Sequence, residues 1–525
     1  MSSMLYLAAV SVTLALGVGA ILVLRWRNGG RPSQDARLPP GSRGLPFLGE
    51  TLHYLAASST LELLPPFFEE RLERYGPIFR TSLVGEDLIV SLDAELNAHI
   101  LKQEERGFQI WYPPSFMRVF GAGNITSKIG VLHRHMRTLV LRLFGHQSIR
   151  SVLLRDVQRS ARDELRSWLG RPDVEVRTAI SRMIFGVTAK KLISHDDAAS
   201  GGRLWECFHD WTSGLLSFPV PIPGTTFYKC MQRYTYANHP HKMHVSDNLR
   251  NNYKYPAINL VDSGLRSSSL QGRKNVMKML KQQLSERRNA AERETVDFFD
   301  LVIDELNKPN PIMDESTALD LLLTMLFASH ETTSMVLTVI LKYLTDNPKA
   351  LQELTEEHEK ILERRVDPDS DITWDEYKSM KFTSHVIHES LRLANIALVM
   401  FRKADQDVHI NGSKIMICPL ASHLNMKVYE DPSVFNPWRW KDIPEPVGAS
   451  KDFMAFGGGL RLCAGADFSK MQMAMFLHYL VINYRWKAVS GGTMVFYPGL
   501  QFPDGFHIQL LPKIRNVVLE TLSRN

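Results

Sequence analysis

A glycine-rich segment near the C-terminus contains the residues best suited to chemistry. Residues 456–465 read Phe-Gly-Gly-Gly-Leu-Arg-Leu-Cys-Ala-Gly, and an apolar run follows at 471–482. Glycine lacks a Cβ, so the backbone of such a loop can approach a flat group closely. A thiolate is favoured at a helix N-terminus, and as an axial ligand of haem iron it pushes electron density toward O–O cleavage. The segment therefore predicts a haem-thiolate site with Cys463 as the metal ligand.

Two simpler interpretations compete with this prediction. A single cysteine is usually a small buried hydrophobic residue, and three successive glycines on their own indicate only a flexible turn. The segment is more specific than either, because it combines five fixed positions in one pattern, Phe-x-x-Gly-x-Arg-x-Cys-x-Gly. Chance occurrence of that combination in one chain is very rare, so we interpret Cys463 as a ligand.

A second polar group interrupts a long apolar segment. Residues 318–344 predict a buried core helix, yet they contain the run Ala-Ser-His-Glu-Thr-Thr at 328–333. β-Branched residues and hydroxyls are unfavourable in the middle of a helix, and a broken local rule often marks a functional site. The alternative is an incidental polar patch, and the cysteine segment is what favours the functional interpretation.

Two further motifs lie between these segments. Glu389 and Arg392 form a Glu-x-x-Arg sequence, and Arg439 ends a Phe-x-Pro-x-Arg sequence. Together with residues 328–333 and 456–465, this order of motifs resembles that of the cytochrome P450 family, and the resemblance extends over nearly the whole chain. It implies a P450 fold that is mainly α with small β-sheets (α+β), a haem b cofactor bound through Cys463, and a monooxygenase reaction.

The resemblance also assigns roles to the motif residues. Glu331 and Thr332 would be the catalytic pair that delivers protons, although a serine stands where this motif usually has a glycine. Glu389, Arg392 and Arg439 would form a buried structural triad. Because a buried ion pair that loses one partner leaves an uncompensated charge, we expect the triad to stabilise the fold around the haem.

Haem propionates need cationic or hydrogen-bonding partners. The resemblance implies four of these, together with an aromatic and two glycine neighbours of the sulfur: Arg461, His133, Arg137, Arg402, Phe456, Gly457 and Gly465. A tryptophan is common in the family at the position of His133, but a histidine there can still donate a hydrogen bond. For Arg137 and Arg402 a solvated arginine is an equal alternative.

The segments that line family pockets are almost entirely apolar in this chain. They supply a predicted substrate pocket that consists of Trp111, Phe116, Phe120, Phe327, Ala328, Leu398, Val399 and Phe502. Apolar stripes are more often core than ligand contacts, so the loop positions carry most weight. A large rigid hydrophobic molecule is the expected substrate, and the motif sequences most resemble those of plant P450s that oxidise brassinosteroids, other sterols and triterpenoids.

Electrons must come from another protein, because no flavin- or NADPH-binding domain fits in this length. The resemblance implies a membrane-bound NADPH–cytochrome P450 reductase, with Arg134, Arg142, Lys451 and Lys470 as candidate docking residues. Each of these is on its own more typical of a solvated charge. The alternatives are a haem-thiolate isomerase or dehydratase that needs no reductase, an oxidase of another terpenoid hormone, and a membrane-anchored lipid-binding or haem-sensing protein without turnover.

The composition is that of a globular protein. Of 525 residues, 44% are apolar and 22% are charged, which is ordinary. The net charge of +6 is too diffuse to favour a nucleic-acid partner and suits an acidic protein or an anionic membrane surface. Four cysteines without metal-type spacing indicate a reducing compartment rather than a disulfide framework.

The N-terminal segment predicts a membrane anchor. Residues 4–24 carry no charge and are long enough as a helix to cross a hydrocarbon core of roughly 30 Å. Basic residues follow at once, which favours a cytosolic location for that side. We therefore expect a single-pass protein of the endoplasmic reticulum membrane, in contact with membrane lipid, with a basic and Pro/Gly-rich hinge at 25–49 and a cytosolic catalytic domain at 50–525. A cleaved signal peptide is the competing interpretation.

The elements that must position these residues follow from periodicity and turn residues. Residues 79–83 and 88–91 predict a β-hairpin, and beyond residue 131 the pattern is mostly helical. Predicted helices cover 160–169, 179–193 and 204–216, and strands are expected near 415–418, 493–496 and 506–511. These elements predict one large, mainly α domain.

Overall fold

A computed structural model describes residues 38–45, 48–56, 64–120, 124–196, 202–215, 265–289, 297–405, 412–443, 450–496 and 499–513. The predicted anchor at 4–24 and the first part of the predicted hinge lie outside these residues. Within them the chain is mostly helical with small sheets, as the sequence predicts.

Helices make up most of the described chain. In its N-terminal part they are α1 (Thr51–Tyr54), α2 (Pro66–Tyr75), α3 (Ala94–Lys102), α4 (Pro114–Phe120), α5 (Gly130–Phe144), α6 (Leu154–Ser167), α7 (Val176–Ile193) and α8 (Arg203–Leu215). In its C-terminal part they are α9 (Leu265–Asn289), α10 (Phe298–Leu306), α11 (Glu315–Asp346), α12 (Pro348–Glu363), α13 (Trp374–Ser379), α14 (Lys381–Ala394), α15 (Pro419–His423) and α16 (Ala466–Asn483). Shorter helical turns lie at Ile125–Ser127, His146–Ser148, Ile149–Leu153, Pro437–Trp440 and Gly459–Arg461. The helices predicted at 160–169, 179–193 and 204–216 correspond to α6, α7 and α8.

The central element is α11, which is 32 residues long. It begins where the Asp314 carboxylate accepts a hydrogen bond from the Thr317 amide at 2.8 Å, an N-cap that satisfies an otherwise free donor. Its apolar length and composition would also suit a membrane span, but 67% of its most apolar window is buried inside the protein. The helix packs against α7 and α14, so it is a core helix, as predicted.

Short strands form three small sheets in the described chain. The strands are β1 (Ile78–Leu83), β2 (Glu86–Ser91), β3 (Phe108–Ile110), β4 (Val174–Glu175), β5 (Met400–Ala404), β6 (Lys414–Ile417), β7 (Tyr484–Gly491), β8 (Val495–Phe496), β9 (Leu500–Gln501) and β10 (Phe506–Pro512). The sheets have the orders β1-β2-β6-β5-β3, β4-β10-β7 and β8-β9. Only the pairing of β2 with β6 is parallel among these strands. The predicted hairpin is β1–β2, whose register joins Leu83 to Glu86.

The Pro/Gly-rich segment before residue 50 is attached to this hairpin where it is described. Gly41 forms a bridge with Arg80, and Gly49 forms one with Leu83. A Cβ on Gly41 would lie 2.1 Å from the Arg80 carbonyl oxygen, which no real side chain tolerates, so the close approach requires glycine. The packed part of the chain therefore extends upstream of residue 50.

Candidate active site

The loop that carries Cys463 is fixed by its own backbone and by α3. The Cys463 amide donates to the Phe456 carbonyl at 3.0 Å, and α16 begins three residues further on, after Gly465. Gly459 has a φ of 61°, and a Cβ there would lie 1.9 Å from the Leu101 carbonyl oxygen. The left-handed conformation and the close contact both require glycine, so this residue locks the loop to the end of α3.

The Cys463 thiol opens into an internal cavity of about 450 Å³. Burial by the surrounding protein raises the pKa of this thiol, while the Gly465 amide and the Arg137 guanidinium act in the opposite direction. Desolvation disfavours the charged form, so the helix N-terminus does not by itself secure a thiolate here. A bound metal ion would supply the positive charge that deprotonates a ligating thiol.

The wall of this cavity is mostly apolar and brings together residues from α5, α11, the segment after α14 and the cysteine loop. Of the residues predicted for the haem and for catalysis, it contains His133, Arg137, Thr332, Phe456, Gly457, Arg461, Cys463 and Gly465. Arg402 and Glu331 are outside the lining. The sequence analysis missed other wall residues, among them Tyr112, Thr324, Ile396 and Ala397.

The polar atoms on the α5 side of the cavity fit a haem group. His133 is buried, and its Nδ1 has no hydrogen-bond partner among the described residues. Burial, followed by Arg461 and Arg137, lowers the pKa of His133 to about 4, so the ring is neutral at pH 7. Arg137 donates from Nη1 to the Leu462 carbonyl at 2.5 Å, which ties α5 to the residue before Cys463. An orphaned ring nitrogen beside fixed arginines suits a carboxylate-bearing ligand.

Arg402 and Arg461 converge on a carboxylate that the sequence analysis missed. Arg402 lies on β5 with its side chain 2% exposed, and its Nη2 is 3.2 Å from Glu104 Oε2. Arg461 donates from Nε to Glu104 Oε1 at 2.5 Å. Arg402 is therefore buried and paired, and a solvated surface position is excluded for it.

Four hydroxyl-bearing residues of α11 line the cavity, and two of them, Ser329 and Thr332, belong to the polar run at 328–333 and make hydrogen bonds to the helix backbone. Thr332 Oγ1 donates to the Ala328 carbonyl at 3.1 Å, and Ser329 Oγ donates to the Leu326 carbonyl at 3.0 Å. Because each hydroxyl has given its proton to the helix backbone, its lone pairs remain to accept a hydrogen bond in the cavity. The serine that replaces the usual glycine therefore adds a second polar atom one turn before Thr332.

Glu331 points away from this wall and pairs with another helix. Its carboxylate forms an ion pair with Arg177 in the first turn of α7. His330, its neighbour, is buried and has its Nδ1 2.6 Å from the Leu326 carbonyl oxygen, and burial lowers its pKa. No motif marks Arg177, which is 154 residues away in the sequence, so the sequence analysis did not find it.

Glu389, Arg392 and Arg439 meet beside the loop that leads to Cys463. Glu389 accepts from Arg392 Nη2 at 2.8 Å and from Arg439 Nε at 3.0 Å, and Glu389 and Arg392 are both fully buried. Trp440 Nε1 and the Asn436 amide also donate to Glu389, at 2.9 and 3.0 Å. Every charge in the group has several partners, which is the condition under which burial of charge is tolerated.

Of the residues predicted for the substrate pocket, Ala328 is on the cavity wall. Phe116 and Phe120 stack on one another with ring centroids 4.3 Å apart, and Phe120 meets Phe327 edge-on at 5.4 Å. This aromatic column lies outside the cavity lining. The remaining predicted residues also lie outside the lining: Trp111, Leu398, Val399 and Phe502. Leu398 and Phe502 are buried in the core. Contact of these residues with a substrate stays a prediction.

Three of the four predicted docking residues already have acidic partners. Arg134 pairs with Glu105 at 2.6 Å, and Lys451 pairs with Glu95 at 2.6 Å. Lys470 is 3.4 Å from a carboxylate oxygen of Asp467 one turn away. Surface pairs of this kind are weak, so they lower the local positive charge without removing these residues as contacts for an acidic protein.

Curated relatives cover almost the whole chain. A protein from Oryza sativa subsp. japonica named cytochrome P450 87A3 is 47% identical over 498 residues, which are 93% of this chain and 89% of that protein. Cucurbitadienol 11-hydroxylase from Siraitia grosvenorii is 35% identical over 95% of this chain and 99% of its own length. Cholesterol 22-monohydroxylase CYP90B52 from Paris polyphylla is 34% identical over 91% and 94%.

The comparison of folds and the family match agree with the similarity to these relatives. A solved structure, retinoic acid bound cyanobacterial CYP120A1, superposes with a TM-score of 0.72 over 91% of this chain and 99% of that chain, at 23% identity; this likeness concerns the fold alone. The sequence pattern of the cytochrome P450 family matches residues 39–500. The chain therefore belongs to the cytochrome P450 family of haem-thiolate monooxygenases, whose cofactor is haem b.

Proposed function

We propose that this protein hydroxylates a carbon of a triterpenoid or steroid, with dioxygen and with electrons that NADPH–cytochrome P450 reductase transfers from NADPH. The observation that carries the proposal is that the Cys463 thiol and the Thr332 hydroxyl lie on the wall of one largely apolar cavity. Relatives named as a cucurbitadienol hydroxylase and a cholesterol hydroxylase, which span nearly the whole chain, support the substrate class.

In this proposal Cys463 holds the haem iron through its sulfur, and haem, when bound, supplies the activation of dioxygen. His133, Arg137, Arg402 and Arg461 hold the propionates. Phe456 shields the sulfur from water, which tunes its donor strength. Gly457 and Gly465 would keep side chains away from the ring, and a Cβ on Gly465 would be in van der Waals contact with Cys463 Sγ at 4.0 Å.

Proton supply is assigned to α11. Thr332 would present its hydroxyl oxygen to the cavity, and Glu331 would be the carboxylate from which protons are drawn. Because Glu331 pairs with Arg177 on the α7 side of the helix, we infer that the path from Glu331 to Thr332 needs a water molecule or a rotation of the carboxylate. Proton transfer by positioned groups of this kind contributes roughly a hundredfold to ten-thousandfold in rate.

The composition of the wall supports a rigid hydrophobic substrate with few polar groups. Most lining side chains are apolar. The polar lining residues contributed by α11 are Thr324, Ser329, Thr332 and Thr333. A site of this kind selects by shape and uses a small number of hydrogen bonds for orientation. A substrate with one or two hydroxyl groups on a fused ring system suits it.

Location at the endoplasmic reticulum membrane, with residues 4–24 as anchor and 25–49 as hinge, completes the proposal. The uncharged N-terminal stretch and its basic flank support it. An anchored protein would meet its reductase and take up a water-insoluble substrate from membrane lipid.

The test uses yeast microsomes that contain the full chain and a plant NADPH–cytochrome P450 reductase. A panel of sterols and triterpenes is supplied, and products are identified by mass spectrometry. We expect a product heavier by one oxygen that requires NADPH and the reductase; matched microsomes without the reductase are the control. Turnover without NADPH would favour an isomerase or dehydratase, and a haem-loaded protein that binds panel members without turnover would favour a lipid-binding or sensing role.

A further inference from the structure

Glu104 is a buried carboxylate with no role in the function proposed above. Its side chain is 1% exposed, and it lies in the short loop between α3 and β3. The next residue, Glu105, has a φ of 65°, and its amide donates to the Phe108 carbonyl at 2.9 Å, so the chain turns sharply into β3. Because Ile110 of β3 pairs with Arg402 of β5, this turn brings Glu104 next to β5.

The two oxygens of Glu104 serve two different arginines. Oε1 accepts from Arg461 Nε at 2.5 Å, and Oε2 lies 3.2 Å from Arg402 Nη2. The side chains of Arg402 and Arg461 are 2% and 11% exposed, so water screens these pairs little. A single carboxylate between two buried guanidinium groups fixes the distance between them. The contact of Gly459 with the end of α3 holds the loop that contains Glu104 against the cysteine loop.

One donor of this cluster and one acceptor, Glu104 Oε2, have no hydrogen-bond partner among the described residues. Arg461 also donates from Nη2 to the Lys128 carbonyl at 2.6 Å, and Arg402 donates from Nη1 to the Phe401 carbonyl at 2.8 Å. Arg402 Nε is buried and has no hydrogen-bond partner among the described residues. A buried unpaired donor costs free energy, so this nitrogen calls for an acceptor that Glu104 does not provide, and a haem propionate is such an acceptor.

The charges around the propionate side also balance only with Glu104 included. Arg137, Arg402 and Arg461 carry three positive charges and Glu104 carries one negative charge, while burial and the neighbouring arginines favour the neutral form of His133. The nearby charges of Glu105 and Arg134 pair with each other and cancel. The net charge of this group is two positive, which matches the two propionates of haem b. A neutral side chain at position 104 would leave one positive charge in excess in a region that water screens little.

We propose that Glu104 is a positioning residue for the haem, which holds Arg402 and Arg461 in place for the propionates and sets the charge that the propionates balance. The proposal rests on the haem site proposed above. Loss of the carboxylate would favour the ferrous iron over the ferric iron, because the ferrous form carries one positive charge less and is repelled less by the excess positive charge.

The test is Glu104→Gln in the full-length, haem-loaded protein, with the midpoint potential of the iron measured by spectroelectrochemical titration. We expect a shift to more positive potential, equivalent to a rise of about threefold or more in the ferrous-to-ferric ratio at a fixed applied potential. Glu105→Gln is the matched control. Glu105 is the adjacent residue of the same type, but its partner Arg134 is 54% exposed, so water screens its charge more strongly and we expect a much smaller shift.

A double variant separates charge from shape. Glu104→Gln with Arg402→Gln removes one charge of each sign, so the potential should return toward the wild-type value, whereas unrelated structural damage would accumulate. An unchanged potential in the single variant overturns the proposal. If the single variant purifies without haem, the double variant decides the outcome. A double variant that binds haem supports the proposal, and a double variant that does not bind haem overturns it. The reduced carbon monoxide spectrum reports sulfur ligation separately, so a wild-type protein without the thiolate-type band would refute the proposed haem site rather than the role of Glu104.

Discussion

At the scale of single residues, position on a helix face decides what a polar side chain can do. Thr332 and Glu331 are neighbours in the sequence, yet Thr332 lies on the cavity wall and Glu331 pairs with Arg177 on α7. Successive helical residues differ by roughly 100° in direction, since the helix has 3.6 residues per turn. The acid and the hydroxyl therefore point to different faces of α11, and their cooperation depends on water or on movement of the acid.

Replacement of Thr332 by alanine should uncouple NADPH consumption from hydroxylation. The variant loses the hydroxyl oxygen that accepts a hydrogen bond in the cavity, so proton delivery fails while electron transfer continues. We expect product per NADPH to fall by about tenfold, with hydrogen peroxide rising in its place. Thr338→Ala is the control, because Thr338 is on the same helix but donates to Ser334 in the buried core; equal coupling in the two variants would contradict the role of Thr332.

Replacement of Cys463 by serine should abolish the thiolate-type Soret shift of the reduced carbon monoxide complex. A serine hydroxyl does not give up its proton as a thiol does, so the electron-rich sulfur ligand is lost. The control is Cys207→Ser, since Cys207 is a half-buried cysteine on α8 at the edge of the core, outside the cavity lining. A wild-type spectrum from the Cys463 variant would remove this residue as the ligand.

At the scale of elements, the cysteine loop is held by contacts with elements that are distant in sequence. Gly459 meets the end of α3, Arg461 reaches the loop after α3 through Glu104, and Arg137 of α5 donates to Leu462. The Glu389 group anchors the preceding segment to α14. Because several elements constrain the loop, the protein fold itself positions the thiol.

Gly459→Ala tests this arrangement. Alanine at a φ of 61° costs about 1–2 kcal/mol, and its Cβ would lie 1.9 Å from the Leu101 carbonyl oxygen, so α3 and the loop must separate. We expect a large loss of haem content per purified protein, measured by the ratio of haem to protein absorbance. Gly186→Ala in α7 has nothing within 4 Å of the new Cβ and should retain haem and gain about 0.5–1 kcal/mol of stability. Equal haem content in the two variants would refute the locking role of Gly459.

At the scale of the whole molecule, buried neutral histidines join elements across the core. His358 of α12 and His478 of α16 have their Nδ1 atoms 3.1 Å apart, and burial lowers the pKa of His358 well below its ordinary value. His423 accepts from the Met454 amide through Nε2 at 3.0 Å, and burial, followed by Arg392, lowers its pKa to about 3. Protonation of His358 or His423 requires that the packed core opens.

This predicts a fold that loses stability in mild acid. In the unfolded chain histidine titrates near pH 6.5, so between about pH 6.5 and pH 3 the unfolded state binds more protons than the folded state. The histidine contribution is therefore complete above pH 6.5 and is lost as the pH falls toward 3. The free energy of unfolding, measured from pH 7.5 to 4.5, should decrease as the pH falls. The slope of this decrease should be smaller in the His423→Gln variant, and an identical slope would exclude His423 as a contributor.

The amino-acid sequence by itself determined the mainly α class, the core helix α11 and the identity of the cysteine loop. These features are local: α11 is a long, mainly apolar run, and the cysteine loop is a contiguous pattern of residue types. Element ends were predicted less well where a side chain acts as a cap. For example, α7 begins at Val176 because Glu175 accepts hydrogen bonds from the Arg177 and Thr178 amides, three residues before the predicted start.

Only the tertiary structure decided which partners these residues have. Glu104 and Arg461 are 357 positions apart, and Arg177 and Glu331 are 154 apart; no local pattern records such pairs, since they depend on how α3, α7 and α11 pack. The same packing puts Ile396 and Ala397 on the cavity wall, whereas the predicted Leu398 and Val399 lie outside the lining. Motif residues are specified by the chemistry they must perform, whereas the groups that hold them in place are specified only by the folded arrangement of the helices.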